Sequence, residues 1–219
     1  MRALQAALAQ GADALGLVLT ESRPAQLLDY LVLLQKWGRV YNLTAVREPQ
    51  EMLTHHLLDS LAVIAPLRGQ GSAEGSLAGL RLLDVGSGAG LPGVVVAIGC
   101  PELTVCCVDA VAKKSAFVQQ VAVSLGLPNL RAVHARVEDA TGTYDLVVSR
   151  AFASLADFTR LSAHLLSPQG QWMALKGRSP DAEIAALPTS VDVFHVEQLL
   201  VPGLDAQRCL VWMRPRSMA

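Results

Sequence analysis

Apolar positions in the first third of the chain recur at helical spacing. Leu4, Leu8, Ala12 and Leu15 form one stripe, and Leu27, Leu31, Leu34 and Trp37 a second, each with the period of an amphipathic helix. Ser22 and Pro24 stand where a helix N-cap and first turn are expected. Gly38 stands where that helix is expected to stop. Met52, Leu53, His56, Leu57, Ser60 and Ile64 predict a third helix from about Pro49. The segment between the last two, residues 41–47 (Tyr-Asn-Leu-Thr-Ala-Val-Arg), is too polar and short to be one. Residues 1–67 therefore read as a helical extension, and the Gly/Ser-rich stretch 68–80 as a connection.

The texture changes at residue 81. Short apolar runs at 81–85, 103–108, 130–134, 144–149 and 171–176 alternate with helical stretches. That alternation predicts βαβ units and an α/β domain over 81–219, its mostly parallel sheet covered on both faces. Runs at 191–201 and 208–214 flank Pro202-Gly203 and predict a closing antiparallel pair.

Composition narrows the function. The chain has 219 residues, 52% hydrophobic and 17% charged, which suits a buried core and excludes disorder. Lys plus Arg number 18 against 19 Asp plus Glu, a formal charge of −1. Residues 1–80 carry 6 basic and 7 acidic side chains, residues 81–150 carry 6 and 6, and residues 151–219 carry 6 and 6. Such balance argues against a general polyanion binder. Yet 14 of the 18 cations are Arg, which suits bidentate phosphate and base contacts. No apolar run approaches the roughly 20 residues of a membrane span, and Gln5, Gln10 and Asp13 interrupt any signal-peptide core. Cys100, Cys106, Cys107 and Cys209 lack paired metal-ligand spacing. Adjacent Cys106 and Cys107 are expected to face opposite sides of a strand. Buried free thiols in a reducing cytoplasm, with no metal site, are the expectation.

The chemistry-bearing feature follows the first run. Leu82-Leu83-Asp84-Val85 leads into Gly86-Ser87-Gly88-Ala89-Gly90-Leu91-Pro92-Gly93 and then a helix. A strand, a glycine turn and a helix start let backbone amides approach a nucleotide. Gly88-x-Gly90-x-x-Gly93 matches a dinucleotide fingerprint. Asp84-x-Gly86-x-Gly88-x-Gly90 matches the loop of S-adenosylmethionine-dependent methyltransferases. Asp84 favours the second register, because a carboxylate beside the loop suits a cationic cofactor and repels a pyrophosphate. Asp109 ends the second run, where an acid can accept from both ribose hydroxyls or cap the next helix. Glu138 follows the third and Arg150 ends the fourth. These are carboxyl ends of parallel strands, where open α/β sheets bind ligands.

These residues resemble the bacterial 16S rRNA guanine N7-methyltransferases. The similar stretches are residues 84–93, Tyr41-Asn42-Leu43-Thr44-Ala45-Val46-Arg47, His56-Leu57-Leu58-Asp59-Ser60, Ser149-Arg150-Ala151-Phe152-Ala153-Ser154-Leu155 and Ala174-Leu175-Lys176-Gly177. The resemblance begins near residue 25, and the first 20 residues carry no such signal. It implies a Rossmann-like S-adenosylmethionine-dependent methyltransferase fold after a helical extension. It also implies methylation of a guanine N7 in the 530 loop of 16S rRNA, and cofactor contacts at Gly86, Leu91, Val137, Glu138 and Arg150. Asp84, Gly88 and Asp109 complete the expected cofactor set. The family pattern has Asp-Ser and then Lys-Arg where this chain has Asp109-Ala110 and Lys113-Lys114, and Lys lacks the bidentate fork of Arg.

Attack by guanine N7 needs no general base, because its lone pair carries no proton; positioning is the task. After the fourth run the chain reads Val148-Ser149-Arg150-Ala151-Phe152, not the Asp/Asn-Pro-Pro-aromatic set of amino-group methyltransferases. Cys100-Pro101 reverses the order of a Pro-Cys nucleophile. Arg150 is expected to fix the cofactor or guanine O6. Phe152 is expected to stack on an extruded base, or else to lie in the core. His56 or His55 is expected to pair with Asp59 on a shared helix face, and Asn42 and Thr44 either to touch substrate or to cap a turn. Arg39, Asn42, Arg47, Lys113, Lys114, Arg136, Lys176 and Arg178 are the candidates for RNA contact. The expected partner is 16S rRNA, the small subunit or an assembly intermediate, met by a monomer with no membrane association. Open alternatives are a small-molecule methyltransferase, a nicotinamide-dependent oxidoreductase and a non-enzymatic assembly module.

Overall fold

A computed structural model describes residues 2–20, 22–70, 76–150, 152 and 154–216. Residues 71–75 of the connection, and Ala151 and Ala153 beside Phe152, lie outside the described residues.

The strands are β1 (Arg81–Val85), β2 (Thr104–Asp109), β3 (Leu130–His134), β4 (Tyr144–Ser149), β5 (Leu166–Lys176), β6 (Val191–Leu199) and β7 (Arg208–Pro215). They form one seven-stranded sheet in the order β3-β2-β1-β4-β5-β7-β6. β1 to β5 pair in parallel, and β7 runs antiparallel between β5 and β6. The chain winds outward from β1 to β3 and then returns to β4 on the other side of β1. That reversal opens a crevice at the carboxyl ends, where such sheets take ligands. β5 begins five residues before the expected 171, and a register shift between Tyr144 and Leu146 of β4 accommodates the added residues.

Both faces of the sheet are buried. Leu82, Val105 and Cys107 point into one layer, and Leu83, Val85, Cys106 and Val108 into the other, the period of two of a strand. The adjacent cysteines thus face opposite sides as expected, and all four cysteines are free and buried. The helices of this part are α6 (Gly93–Gly99), α7 (Ala112–Ser124), α8 (Leu155–Ser162) and α9 (Asp181–Ala185).

The preceding helices are α1 (Arg2–Ala14), α2 (Arg23–Tyr41), α3 (Pro49–Met52), α4 (Asp59–Leu61) and α5 (Ile64–Gln70). Leu27, Leu34, Leu57 and Leu61 share one buried cluster with Leu82, Val94 and Phe117. Each fully buried Leu contributes about 2 kcal/mol, so this docking anchors the helices firmly on one face of the sheet. No helix of the described residues is long and apolar enough to cross a membrane.

Three local expectations are corrected. Ser22 and Pro24 do take the N-cap and first turn of α2, but Ser22 is helical and makes no side-chain capping bond. The helix runs through Gly38 to Tyr41, because Asn42 adopts φ +52° and donates its N–H to the Gly38 carbonyl at 3.1 Å. Asn is among the few residues that tolerate that left-handed cap. The third helix is interrupted by a π-helical segment, Leu53–Leu58, in which the Asp59 N–H reaches back to the Thr54 carbonyl.

Candidate active site

The glycine turn joins β1 to α6. Gly86 and Gly88 have φ of +66° and +59°, values natural to glycine. Gly86 is exposed, and a Cβ built on it would meet nothing within 4 Å. The main chain there borders open space. The far end of the turn is closed. A Cβ on Gly93 would lie 2.8 Å from Asp84 Oδ2, which accepts the Gly93 N–H at 2.8 Å. Asp84 is wholly buried and its Oδ1 has no partner. Burial pushes the Asp84 carboxyl up to about 7, against the pull of the Gly93 N–H and the Arg150 charge. Asp84 therefore lies beneath the turn and acts on it through Gly93. Leu91 is buried beside it, its N–H held by the Ser87 carbonyl at 3.1 Å.

Asp109 ends β2 next to the turn. Its Oδ2 accepts the Gly88 N–H at 2.9 Å, and its Oδ1 accepts the Val111 N–H at 2.8 Å. Val111 is the N-cap residue of α7, so Asp109 serves the helix start and the glycine turn together. Each carboxylate oxygen still has a lone pair to offer. Lys114 Nζ lies 3.7 Å from Oδ2. After β3, Val137 is buried and Glu138 exposed in a short 3-10 turn, Val137–Asp139.

Arg150 follows β4. Its Nη1 reaches the His55 carbonyl at 3.2 Å and Asp59 Oδ2 at 3.3 Å. Asp59 also receives Arg208 Nε on Oδ1 at 2.7 Å. One buried carboxylate at the start of α4 thus joins the end of β4 and the start of β7. Neither His55 nor His56 is its partner, which corrects the expected His–Asp pair. Within the π segment the backbone bonds skip an extra residue, so spacing of three or four no longer defines a face. His56 instead places Nε2 2.8 Å from Thr44 Oγ1, and its Nδ1 has no partner. Burial lowers His56 to about 4, with the Arg150 charge acting the same way; it is neutral near pH 7. Thr44 also accepts the Val46 N–H at 3.1 Å, so it stabilises a turn. Phe152 is half-buried and packs on Phe158, ring centroids 5.7 Å apart.

A cavity of about 330 Å³ gathers His55, His56, Asp59, Arg150, Lys176 and Arg208. A second, of about 230 Å³, is lined by Arg39 and Arg47 and shares Val46 with the first. Arg178 joins Arg208 in a third depression that shares Gly177. Arg39, Arg47, Arg150, Lys176, Arg208 and Arg178 therefore border linked cavities. Asn42, at the cap of α2, approaches Arg47 Nη2 at 3.5 Å. Lys113 and Arg136 are exposed elsewhere, on α7 and at the turn after β3. Lys176 is not a free cation, because Glu183 holds its Nζ at 2.8 and 3.0 Å. Arg208 escaped the sequence reading. Its signal was indirect: Asp59, a lone carboxylate in an apolar helical run, needed a cation.

This strand order, with its antiparallel β7 and glycine turn after β1, is the Rossmann-like fold of S-adenosylmethionine-dependent methyltransferases. Solved structures agree on the fold. One titled a SAM dependent methyltransferase from Aquifex aeolicus superposes with a TM-score of 0.56 at 14% identity, covering 76% of this chain and 98% of its own. TrmN from Thermus thermophilus gives 0.57 at 19%, covering 75% of this chain and 53% of its own. The sequence profile of the rRNA small subunit methyltransferase G family matches residues 23–211, and the chain belongs to that family. It is similar to proteins named ribosomal RNA small subunit methyltransferase G. That of Albidiferax ferrireducens is 64% identical over 224 residues, covering 100% of both chains. That of Acidovorax ebreus is 63% identical over 218 residues, covering 97% of this chain and 96% of its own. This likeness includes the first 20 residues, where no family signal was legible.

Proposed function

We propose that the protein transfers the methyl group of S-adenosylmethionine to N7 of a guanine in the 530 loop of 16S rRNA. Family membership supports the small-subunit rRNA as substrate. The single observation that carries the cofactor reading is the exposed turn at Gly86, with Asp109 beside it on β2. When bound, S-adenosylmethionine supplies an electrophilic sulfonium methyl.

The residues suit that group. Open backbone at Gly86 and Gly88 admits a bulky nucleoside, and Asp109 keeps lone pairs for ribose hydroxyls. Glu138 adds a solvent-facing acid one strand further on. Leu91 and Val137 offer apolar flanks, and Asp84 holds the turn from below. Arg150 sits between this turn and the Asp59 cluster, placed to orient cofactor or base. Phe152, beside it in sequence, offers a half-exposed ring for stacking.

The site contains what N7 attack requires and little else. Guanine N7 has no proton to remove, so a base is unnecessary, and holding two atoms near contact is sufficient. Among the side chains of this cavity, Asp59 is committed to two arginines, and burial, which lowers His56 to about 4, makes it a weak proton acceptor. RNA would follow the linked cavities past Arg39, Asn42 and Arg47 to Arg150, Arg208 and Arg178. Lys114 lies beside Asp109, and Lys113 on α7 and Arg136 after β3 are further exposed cations for RNA.

The test is transfer of a labelled methyl group to naked 16S rRNA and to small subunits, followed by mapping of N7-methylguanine. Label in the 530 loop is expected. Label confined to small metabolites would overturn the RNA reading. Arg150→Ala should lower cofactor affinity, turnover or both; a variant unchanged in each refutes the role given to Arg150.

A further inference from the structure

α2 carries one residue that reaches into the glycine turn. Tyr30 is wholly buried, and its hydroxyl donates to the Ala89 carbonyl at 2.8 Å. Ala89 stands between Gly88 and Gly90, whose φ values are +59° and +87°. Glycines on both sides let the intervening peptide planes rotate at little cost. The plane joining Ala89 to Gly90 is held at both ends. Tyr30 fixes its carbonyl, and its N–H donates to the Ser87 carbonyl at 2.8 Å. Two residues earlier, the Gly88 N–H is the one Asp109 accepts.

The hydroxyl itself is well supported. The Tyr30 ring packs on Phe117 of α7 at a centroid distance of 6.3 Å. Trp37 of α2 flanks the same Phe117 at 5.6 Å. Burial raises the Tyr30 phenol well above its ordinary value, so it remains a donor throughout the working pH range. The N-terminal helices are thus in contact with the turn and with α7, the two elements that flank Asp109.

We infer that Tyr30 is a positioning residue for the cofactor: through Ala89 it fixes the conformation of the glycine turn, making the helical extension part of the cofactor site. The inference rests on the proposal that S-adenosylmethionine binds at this turn. Removing the hydroxyl leaves a buried carbonyl unpaired between two glycines. The turn then samples orientations other than the one in which Gly86 and Asp109 together border the cofactor site.

The experiment uses the full-length chain and S-adenosylhomocysteine as probe. Tyr30→Phe keeps the ring against Phe117 and removes only the donor. Gln26→Leu is the control. It deletes another clasp of α2, the bond from Gln26 Nε2 to the Leu125 carbonyl at 2.9 Å, which lies at the far end of α7. By calorimetry, Tyr30→Phe should bind the probe about fivefold more weakly, whereas Gln26→Leu should bind like wild type. In methyl transfer, Tyr30→Phe should raise KM for the cofactor with kcat nearly unchanged. If wild type binds the probe and Tyr30→Phe binds it as tightly, the positioning role is wrong and the cofactor reading stands. Equal weakening by Gln26→Leu reduces Tyr30 to a general packing role and also overturns the inference. If wild type fails to bind the probe, the cofactor reading falls, and the inference with it.

Discussion

Asp59 and Arg208 are 149 positions apart, yet Arg208 Nε lies 2.7 Å from Asp59 Oδ1. Arg150 holds the other oxygen of the same carboxylate at 3.3 Å. The contact ties the helical extension to β7, within the cavity that also holds Arg150.

Asp59→Asn should therefore be costly. It leaves two guanidinium groups beside each other with no carboxylate between them. Removing one member of a buried pair costs about 3–5 kcal/mol. Both arginines keep partial access to water, so a loss of ~2–3 kcal/mol is expected here. Urea denaturation of wild type and variant measures it, and a loss below ~0.5 kcal/mol would mean that solvent already screens the cluster.

Arg150 and Arg208 share one acceptor, so their removal should not be additive. In a double-mutant cycle of Arg150→Ala and Arg208→Ala, a coupling of at least ~0.5 kcal/mol is expected. Additivity within error would show that Asp59 does not link them.

His56 should give stability a pH dependence of known sign. Burial lowers it from 6.5 to about 4 in the fold, so between those values the unfolded chain binds more protons. Its contribution is complete above pH 6.5 and is lost as pH falls toward 4. His56→Gln should remove that acid sensitivity. Unfolding free energies at pH 4.5 and 7 for both proteins decide the matter, and an equal pH response in the two would refute it.

Asp84 should act in the opposite direction. Burial raises it from 3.8 to about 7, so here the folded state holds the extra proton. Its contribution is complete below pH 3.8 and declines as pH rises to about 7, levelling beyond. Asp84→Asn keeps an acceptor for the Gly93 N–H and carries no charge. The stability of wild type relative to this variant should fall across that interval. A flat difference would show that Asp84 titrates normally.

RNA affinity should have a shallow salt dependence. The chain has a formal charge of −1, and Lys176 is neutralised by Glu183. Binding then rests on a few local arginines and on fitting one base. A plot of log affinity against log salt should correspond to roughly 3–4 phosphates. A slope typical of a polybasic binder would contradict this.

Much of this arrangement is legible in the chain. Apolar runs such as Val105-Cys106-Cys107-Val108 and Leu146-Val147-Val148 announce a sheet buried on both faces. Cys106 and Cys107 fall on opposite sides because a strand alternates whatever surrounds it. The glycine turn and Asp109 are local in sequence and contiguous in space. Helix ends were less legible. Asn42 rather than Gly38 stops α2, because the left-handed cap depends on a choice among nearby residues that propensity does not fix.

Pairings across the fold were not legible. Periodicity assumes an α-helix, and the π segment Leu53–Leu58 breaks that assumption, so His56 turns to Thr44 and Asp59 to two arginines. Nothing in the sequence around Arg208 or Tyr30 marks either residue. Their partners, Asp59 and the Ala89 carbonyl, lie on other elements. The sequence by itself determines the layers, the strand ends and the turn, because these follow from local backbone geometry and from which side chains leave water. Only the tertiary structure decides which buried charge meets which and what holds the turn, because those contacts exist only after distant segments have packed together.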